Sequence, residues 1–215
     1  MATATIEKPQ ALQTSGETAG LLAGQISFEE FVSAPQFHGR RVEWVDGAVI
    51  EKMSVSLNHS LLVVFLTKLL GLVAELSAGG QVLADQFLMR LEDQARGREP
   101  DIIYVAPENE GRLLRNYLDG PADLVIEVVS PGTEAVDRGT KFEEYEAGGV
   151  REYWLLDPHR QEALFYLRDE AGVFRPAPTP DGVFASRVLP AVQLRVEWLW
   201  KQPPILQILR GWNLV

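Results

Sequence analysis

The stretch DLVIEVVSPGTEAVDRGTKFEEYEAGGVREYWLLD, residues 123–157, decides how the chain folds. It opens on an apolar run whose alternate residues point to opposite faces of a strand: Leu124, Ile126 and Val128 to one, Val125, Glu127 and Val129 to the other. Glu127 therefore stands where the pattern wants a core residue. A bare carboxylate buried there costs on the order of several kcal/mol unless a cation, a metal or a proton compensates it. Downstream, the spacing predicts a helix over about 133–147 that carries Lys141 on the same face as Tyr145 and stops at Gly148-Gly149, followed by a strand over 151–157. A rival helix start exists, because Thr140 and Glu143 form a capping box that would put Lys141 at the first helical position.

Upstream, Glu99-Pro100-Asp101-Ile102-Ile103-Tyr104-Val105 reads as a second strand, with Pro100 at its start, where a missing donor is tolerated, and Asp101 next to it. RVEWV and AVIEKM flank Asp46-Gly47, the dipeptide of a type I′ two-residue turn, and predict a hairpin over 41–53 with Glu43 in its first strand. Ser27 and Glu30 form a capping box opening a short helix, SFEEFVSA. The longest helix is expected over 58–77, where Leu61, Leu62, Phe65, Leu66, Leu69, Leu70, Val73 and Leu76 make a broad apolar stripe and His59 stands near the start. Residues 81–91 are expected as one strand, 92–99 as a polar turn and 107–120 as a loop. EALFYLRD, GVFRPAP and RVLPAVQLRVEWLW alternate well enough for two or three antiparallel strands, and the apolar tail PPILQILRGWNLV covers the core or faces a partner subunit.

Each charged residue also has a plain reading of its own: Asp101 as a turn cap, Glu127 as an ion pair in the sheet, Lys141 as a surface partner of Asp137, Glu43 as a solvent-facing strand carboxylate, His59 as a helix cap. In this order of elements, however, EPDIIYV, DLVIEVVSPGT and GVREYWLLDP, with the hairpin RVEWVDGAVIEKM, resemble the Uma-two family of restriction-type endonucleases in the PD-(D/E)XK nuclease superfamily, over about residues 26–200. The resemblance implies an α/β (α+β) fold with a restriction-endonuclease-like core, a mixed central β-sheet flanked by helices and extra β-hairpins. Phosphodiester hydrolysis needs an activated water and compensation of charge on the phosphate, which a divalent cation on hard oxygen ligands supplies. Asp101 and Glu127 suit Mg2+ or Mn2+, and the resemblance adds the backbone carbonyl of Val128 as a ligand and Lys141 as the catalytic lysine. Val129 stands where the superfamily's usual lysine would be. Glu43, His59, Ser130 and Tyr145 are auxiliary candidates, the turn Ser130-Pro131-Gly132-Thr133 is expected to touch a backbone phosphate, and Arg138, Glu144, Tyr145 and Arg151 to form the rim. Tyr153 and Trp154 are expected in the core.

With 215 residues, an ordinary charged fraction and nearly half its residues hydrophobic, the chain is expected to form one domain over 26–215 after a flexible tail over 1–25. It has no cysteine, which removes thiolate metal sites and cysteine nucleophiles and fits a cytoplasmic protein. The apolar run Leu61–Phe65 is followed by Lys68, short of a membrane span, and the first residues lack the pattern of a signal peptide. A net charge of −10 argues against a surface that grips nucleic acid everywhere, and is compatible with cations local to a cleft. His38, His59 and His159 lack a zinc-like spacing, and no cofactor-binding fingerprint is present. The sequence reading is a Mg2+-dependent endonuclease on DNA, with RNA as the other substrate, working as a homodimer because cutting both strands favours paired sites. The rival readings are a catalytically silent nuclease-fold binding or assembly module, and a hydrolase or binder of a small phosphorylated ligand.

Overall fold

The computed structural model describes residues 21–52, 54–84, 87–91, 93, 95–130 and 139–215. The expected hairpin forms from β2 (Val42–Val45) and β3 (Ala48–Glu51), with Asp46 at φ 48° and Gly47 at φ 83°, the two left-handed residues that a type I′ turn requires. It is not an isolated decoration. β1 (Leu21–Ala23), β5 (Leu88–Leu91), β6 (Arg96–Arg98) and β8 (Tyr117–Asp119) join it in a six-stranded sheet of order β1-β3-β2-β6-β5-β8. β1 falls inside the stretch expected as a loose tail, whose residues 1–20 lie outside the described ones. β6 and β8 replace an expected polar turn and an expected loop. Arg96-Gly97-Arg98 carries no apolar alternation to read, because its arginines are held by carboxylates from other elements. Gly97 lets Phe28 of α1 (Phe28–Ser33) pack against the strand, 3.0 Å from where a Cβ would stand, and α1 starts with the expected Ser27/Glu30 capping box.

The other large sheet is the expected mixed one. It contains β4 (Gln81–Ala84), β7 (Ile102–Val105), β9 (Leu124–Val128), β10 (Glu152–Asp157), β11 (Glu162–Arg168) and β12 (Phe174–Pro176), in the order β12-β11-β10-β9-β7-β4. β9 and β10 run parallel and the other pairs antiparallel. The single strand expected over 81–91 is thus two strands, β4 and β5, in different sheets. The alternation read in β9 sorts its side chains as expected. Leu124, Ile126 and Val128 join Ile102, Tyr104, Trp154 and Leu156 under Leu62, Leu66, Leu69 and Leu70 of α2 (Leu57–Val73). Val125 and Val129 join Ile103, Val105, Tyr153 and Leu155 on the opposite face, against Tyr145 of α3 (Thr140–Gly148) and Met89, Leu91 and Leu118 of the first sheet.

Helix α2 continues through a wider turn, Ala74–Ala78. Over Leu57–Ala78 it is 22 residues long and apolar enough in composition to cross a membrane, more than the short run noticed in the sequence. Its inner side is core, but Leu61 and Leu76, expected in the buried stripe, are 48 and 44% exposed. After a small β13 (Val183–Ala185) and β14 (Gln193–Arg195) hairpin, the residues expected as a last strand form α4 (Glu197–Lys201), because Val196 already has helical φ and ψ. The tail forms α5 (Ile205–Gly211), whose Ile208 and Leu209 complete the core against α2, so the tail covers the core of its own chain. Helix α3 starts with Gly139 as its cap and no side-chain capping bond, so the Thr140/Glu143 box is not made; the turns expected over 133–138 lie outside the described residues.

Candidate active site

The β7/β9 register pairs Ile102 with Ile126, and continuing it by one residue brings Asp101 opposite Glu127 at the end of the sheet. The Val128 N–H donates to Asp101 Oδ2 at 2.7 Å. The start of α2 brings in His59, which is buried and inside the site instead of capping a surface helix. Its ring bridges two candidates, with Nε2 3.3 Å from Asp101 Oδ1 and Nδ1 3.1 Å from Ser130 Oγ. From the other face, Lys141 lies 3.2 Å from Glu127 Oε1, and the Tyr145 hydroxyl, one turn later in α3, donates to the same oxygen at 2.6 Å. This double contact offsets the buried carboxylate that the strand pattern flagged.

Glu43 faces inward from β2, not to solvent. Its Oε1 lies 4.0 Å from Lys141 Nζ and 3.9 Å from Lys52 Nζ, and accepts from the Glu99 N–H at 3.1 Å; Arg98 Nη1 donates to Oε2 at 2.7 Å. Asp101, Glu127, Val128, Lys141, Glu43, His59 and Ser130 line one cavity of about 40 Å³, together with Lys52 and Arg41. Tyr145 acts on it through Glu127. Lys52 was not singled out in the sequence, although the two-residue turn fixes it: the pairing of Glu43 with Ile50 continues to Arg41 and Lys52, so both cations share the Glu43 face.

Behind the cavity runs an alternating ion chain. Arg98 donates to Glu43 and to Glu144 (Nε to Oε2, 2.8 Å), Glu144 also pairs with Arg96, and Arg96 with Asp46 at the hairpin turn. Burial alone would raise the Glu43 carboxyl, but Lys141, Arg98 and Lys52 outweigh it and hold it down at about 2. Burial also opposes ionisation of Asp101, yet the His59 hydrogen bond, the field of Lys52 and the Val128 N–H keep it below the usual carboxylate range. Desolvation pushes Glu99 up to about 8, and its Oε2 is buried with no hydrogen-bond partner among the described residues. Burial and then the neighbouring Glu127 charge put the Tyr145 phenol well above its ordinary value, so it remains a donor.

The expected rim differs. Glu144 and Tyr145 are buried, Arg151 pairs with Asp123 (3.0 Å) and Glu108 (3.5 Å) at the opposite end of β9, and Arg138 and residues 131–133 lie outside the described ones. Tyr153 and Trp154 are core residues as expected. Among the described residues, no group of three or more His, Asp or Glu side chains is placed to hold a metal ion. The donors at hand are two carboxylates and a backbone carbonyl beside a cavity with room for roughly three waters. That set fits Mg2+, which is commonly bound by one or two carboxylates and keeps several waters.

A family model, Uma2, described as "Putative restriction endonuclease", matches residues 28–197. The chain belongs to the Uma2 family. The crystal structure of "a putative nuclease belonging to DUF820" from Anabaena variabilis has the same fold, with a TM-score of 0.67 at 17% identity, covering 82% of this Uma2 chain and 98% of that one. No curated protein matches the chain. Family and fold together support a nuclease function for this Uma2 chain.

Proposed function

We propose that the chain is a Mg2+-dependent endonuclease of the PD-(D/E)XK type that hydrolyses phosphodiester bonds in DNA. The observation that carries this reading is the cavity in which Asp101, Glu127, Val128 and Lys141 meet. Asp101, Glu127 and the Val128 carbonyl would hold the cation, which when bound supplies Lewis-acid polarisation of the phosphate and a more acidic water. The remaining work falls to the protein. The Val128 N–H fixes the Asp101 carboxylate through Oδ2, and His59 orients Oδ1. Tyr145 and Lys141 both bind Glu127 Oε1 and fix that carboxylate. Lys141 is the group to orient the attacking water or to stabilise charge growing on the phosphate oxygens, and Glu43 steadies its ammonium from 4.0 Å. Lys52 and Arg41, on the same cavity, offer cations to a neighbouring phosphate in a chain that is otherwise acidic.

Cleavage of supercoiled, linear and single-stranded DNA, and of RNA, measured with Mg2+, Mn2+ or a chelator, tests this. Metal-dependent nicking is expected, with Asp101→Ala, Glu127→Ala and Lys141→Ala each losing at least ~100-fold in rate at unchanged folded fraction. The absence of a third acidic or histidine ligand among the described residues favours a second reading, a catalytically silent binding or assembly module. No cleavage of any substrate, with no metal binding by calorimetry, would sink the endonuclease and leave that module.

A further inference from the structure

Helix α2 has an outer face as well as the inner one that packs on the sheet. Leu57, Leu61, Val64, Lys68, Leu72 and Glu75 recur at steps of four, three, four, four and three residues, the spacing of one helical face. Its four apolar members are 73, 48, 48 and 38% exposed, and Leu76 beside them adds to the same patch. Within Leu57–Ala78 only 39% of the most apolar window is buried in the protomer. An exposed helix face with this many apolar residues, rimmed and interrupted by single charges, has the character of an interaction surface.

Two features of the patch say what covers it. Gly71 lies on the same face between Lys68 and Glu75, although glycine is the poorest helix-interior residue after proline. Nothing inside the protomer requires it, since a Cβ at that position would meet no atom within 4 Å. Its smallness answers to a close approach from outside. Lys68 and Glu75, both exposed and without an ion pair among the described residues, carry opposite charges three or four positions either side of it.

We propose that α2 is the contact between two copies of this chain, crossing antiparallel about a two-fold axis between residues 71 and 72. A two-fold interface must be complementary to itself. In this register Lys68 faces the partner's Glu75 and Glu75 faces the partner's Lys68, while Leu72 fits over the partner's Gly71. A lipid surface would accept the leucines but has no use for the glycine or for charges balanced about it.

Sedimentation velocity over a dilution series is the test, with thermal melting of each variant as the control for folding. The wild type is expected to dissociate from dimer to monomer on dilution. Lys68→Glu and Glu75→Lys, each placing like charges opposite one another, are expected to raise the dissociation constant by ~10-fold or more. The double variant K68E/E75K restores the wild-type constant, and Gly71→Leu abolishes the dimer. A wild type monomeric at every concentration overturns the proposal, as does a double variant no tighter than the singles or a Gly71→Leu protein that still dimerises. Flotation of a monomeric chain with phosphatidylcholine vesicles would assign the face to lipid instead.

Discussion

Glu43 and Glu99 sit 3.1 Å apart, backbone N–H to carboxylate, yet their acidities move in opposite directions. Glu43 is surrounded by Lys141, Arg98 and Lys52, whereas Glu99 is desolvated, feels Glu43 as a like charge and leaves Oε2 unpaired among the described residues. The linkage signs follow. Glu43, held at about 2 against an ordinary 4.5, contributes stability that is present above pH 4.5 and is lost as pH falls toward 2. Glu99, raised from 4.5 to about 8, contributes stability that is fully present below pH 4.5 and is lost as pH rises through 8. Urea denaturation at a series of pH values is expected to show stability declining from mildly acid to mildly alkaline conditions, by an amount on the order of a few kcal/mol. In Glu99→Gln that alkaline decline should largely vanish; an unchanged slope would mean that Glu99 ionises normally in the folded protein.

At the level of elements, α3 is the part that delivers Lys141 and Tyr145, and its seat on the first sheet depends on Gly148. A Cβ there would come within 2.9 Å of both Leu91 methyl carbons, and Leu91 is itself buried. Gly148→Ala is expected to cost about 1–3 kcal/mol by forcing α3 off β5. Cleavage should fall more than stability accounts for, because Lys141 and Tyr145 move with the helix; matched measurements of rate and unfolding would separate the two. The hydrophobic alternation of β9, the Asp46-Gly47 turn and the Ser27/Glu30 cap were legible because each is a local signal. β6 was not, since Arg96 and Arg98 are stabilised by Glu144 and Glu43, residues distant in sequence. The split of 81–91 into β4 and β5 was hidden for a related reason: both halves are apolar enough to be strands, and only their partners place them in different sheets. For the site, the sequence singled out Asp101, Glu127 and Lys141, which the fold does bring to one cavity, while the His59 bridge to Ser130 links positions 71 residues apart and leaves no pattern along the chain.

Across the whole molecule, the acidic net charge and the balance of the ion chain are separate matters. Asp46, Glu144, Glu43 and Glu127 are met by Arg96, Arg98, Lys52 and Lys141, four charges of each sign, and the cavity adds Asp101, Glu51 and Arg41 to them. The chain also joins the two large sheets and α3, with Arg98 buried at its centre. Arg98→Met should destabilise the protein by about 3–5 kcal/mol, because it removes the buried arginine that two interior carboxylates share and leaves Glu144 with Arg96 and Glu43 with the more distant lysines. Equilibrium unfolding would read that loss, and a stability within 1 kcal/mol of wild type would show the arginine to be dispensable. The alternation also restricts how a lineage can diverge. Arg98 can be lost without penalty only if Glu43 or Glu144 is neutralised with it, and a changed Glu144 would in turn release Arg96. Related sequences should therefore inherit these positions as a block, either keeping the whole alternating set or replacing it in compensated pairs, even where the surrounding strands have drifted freely.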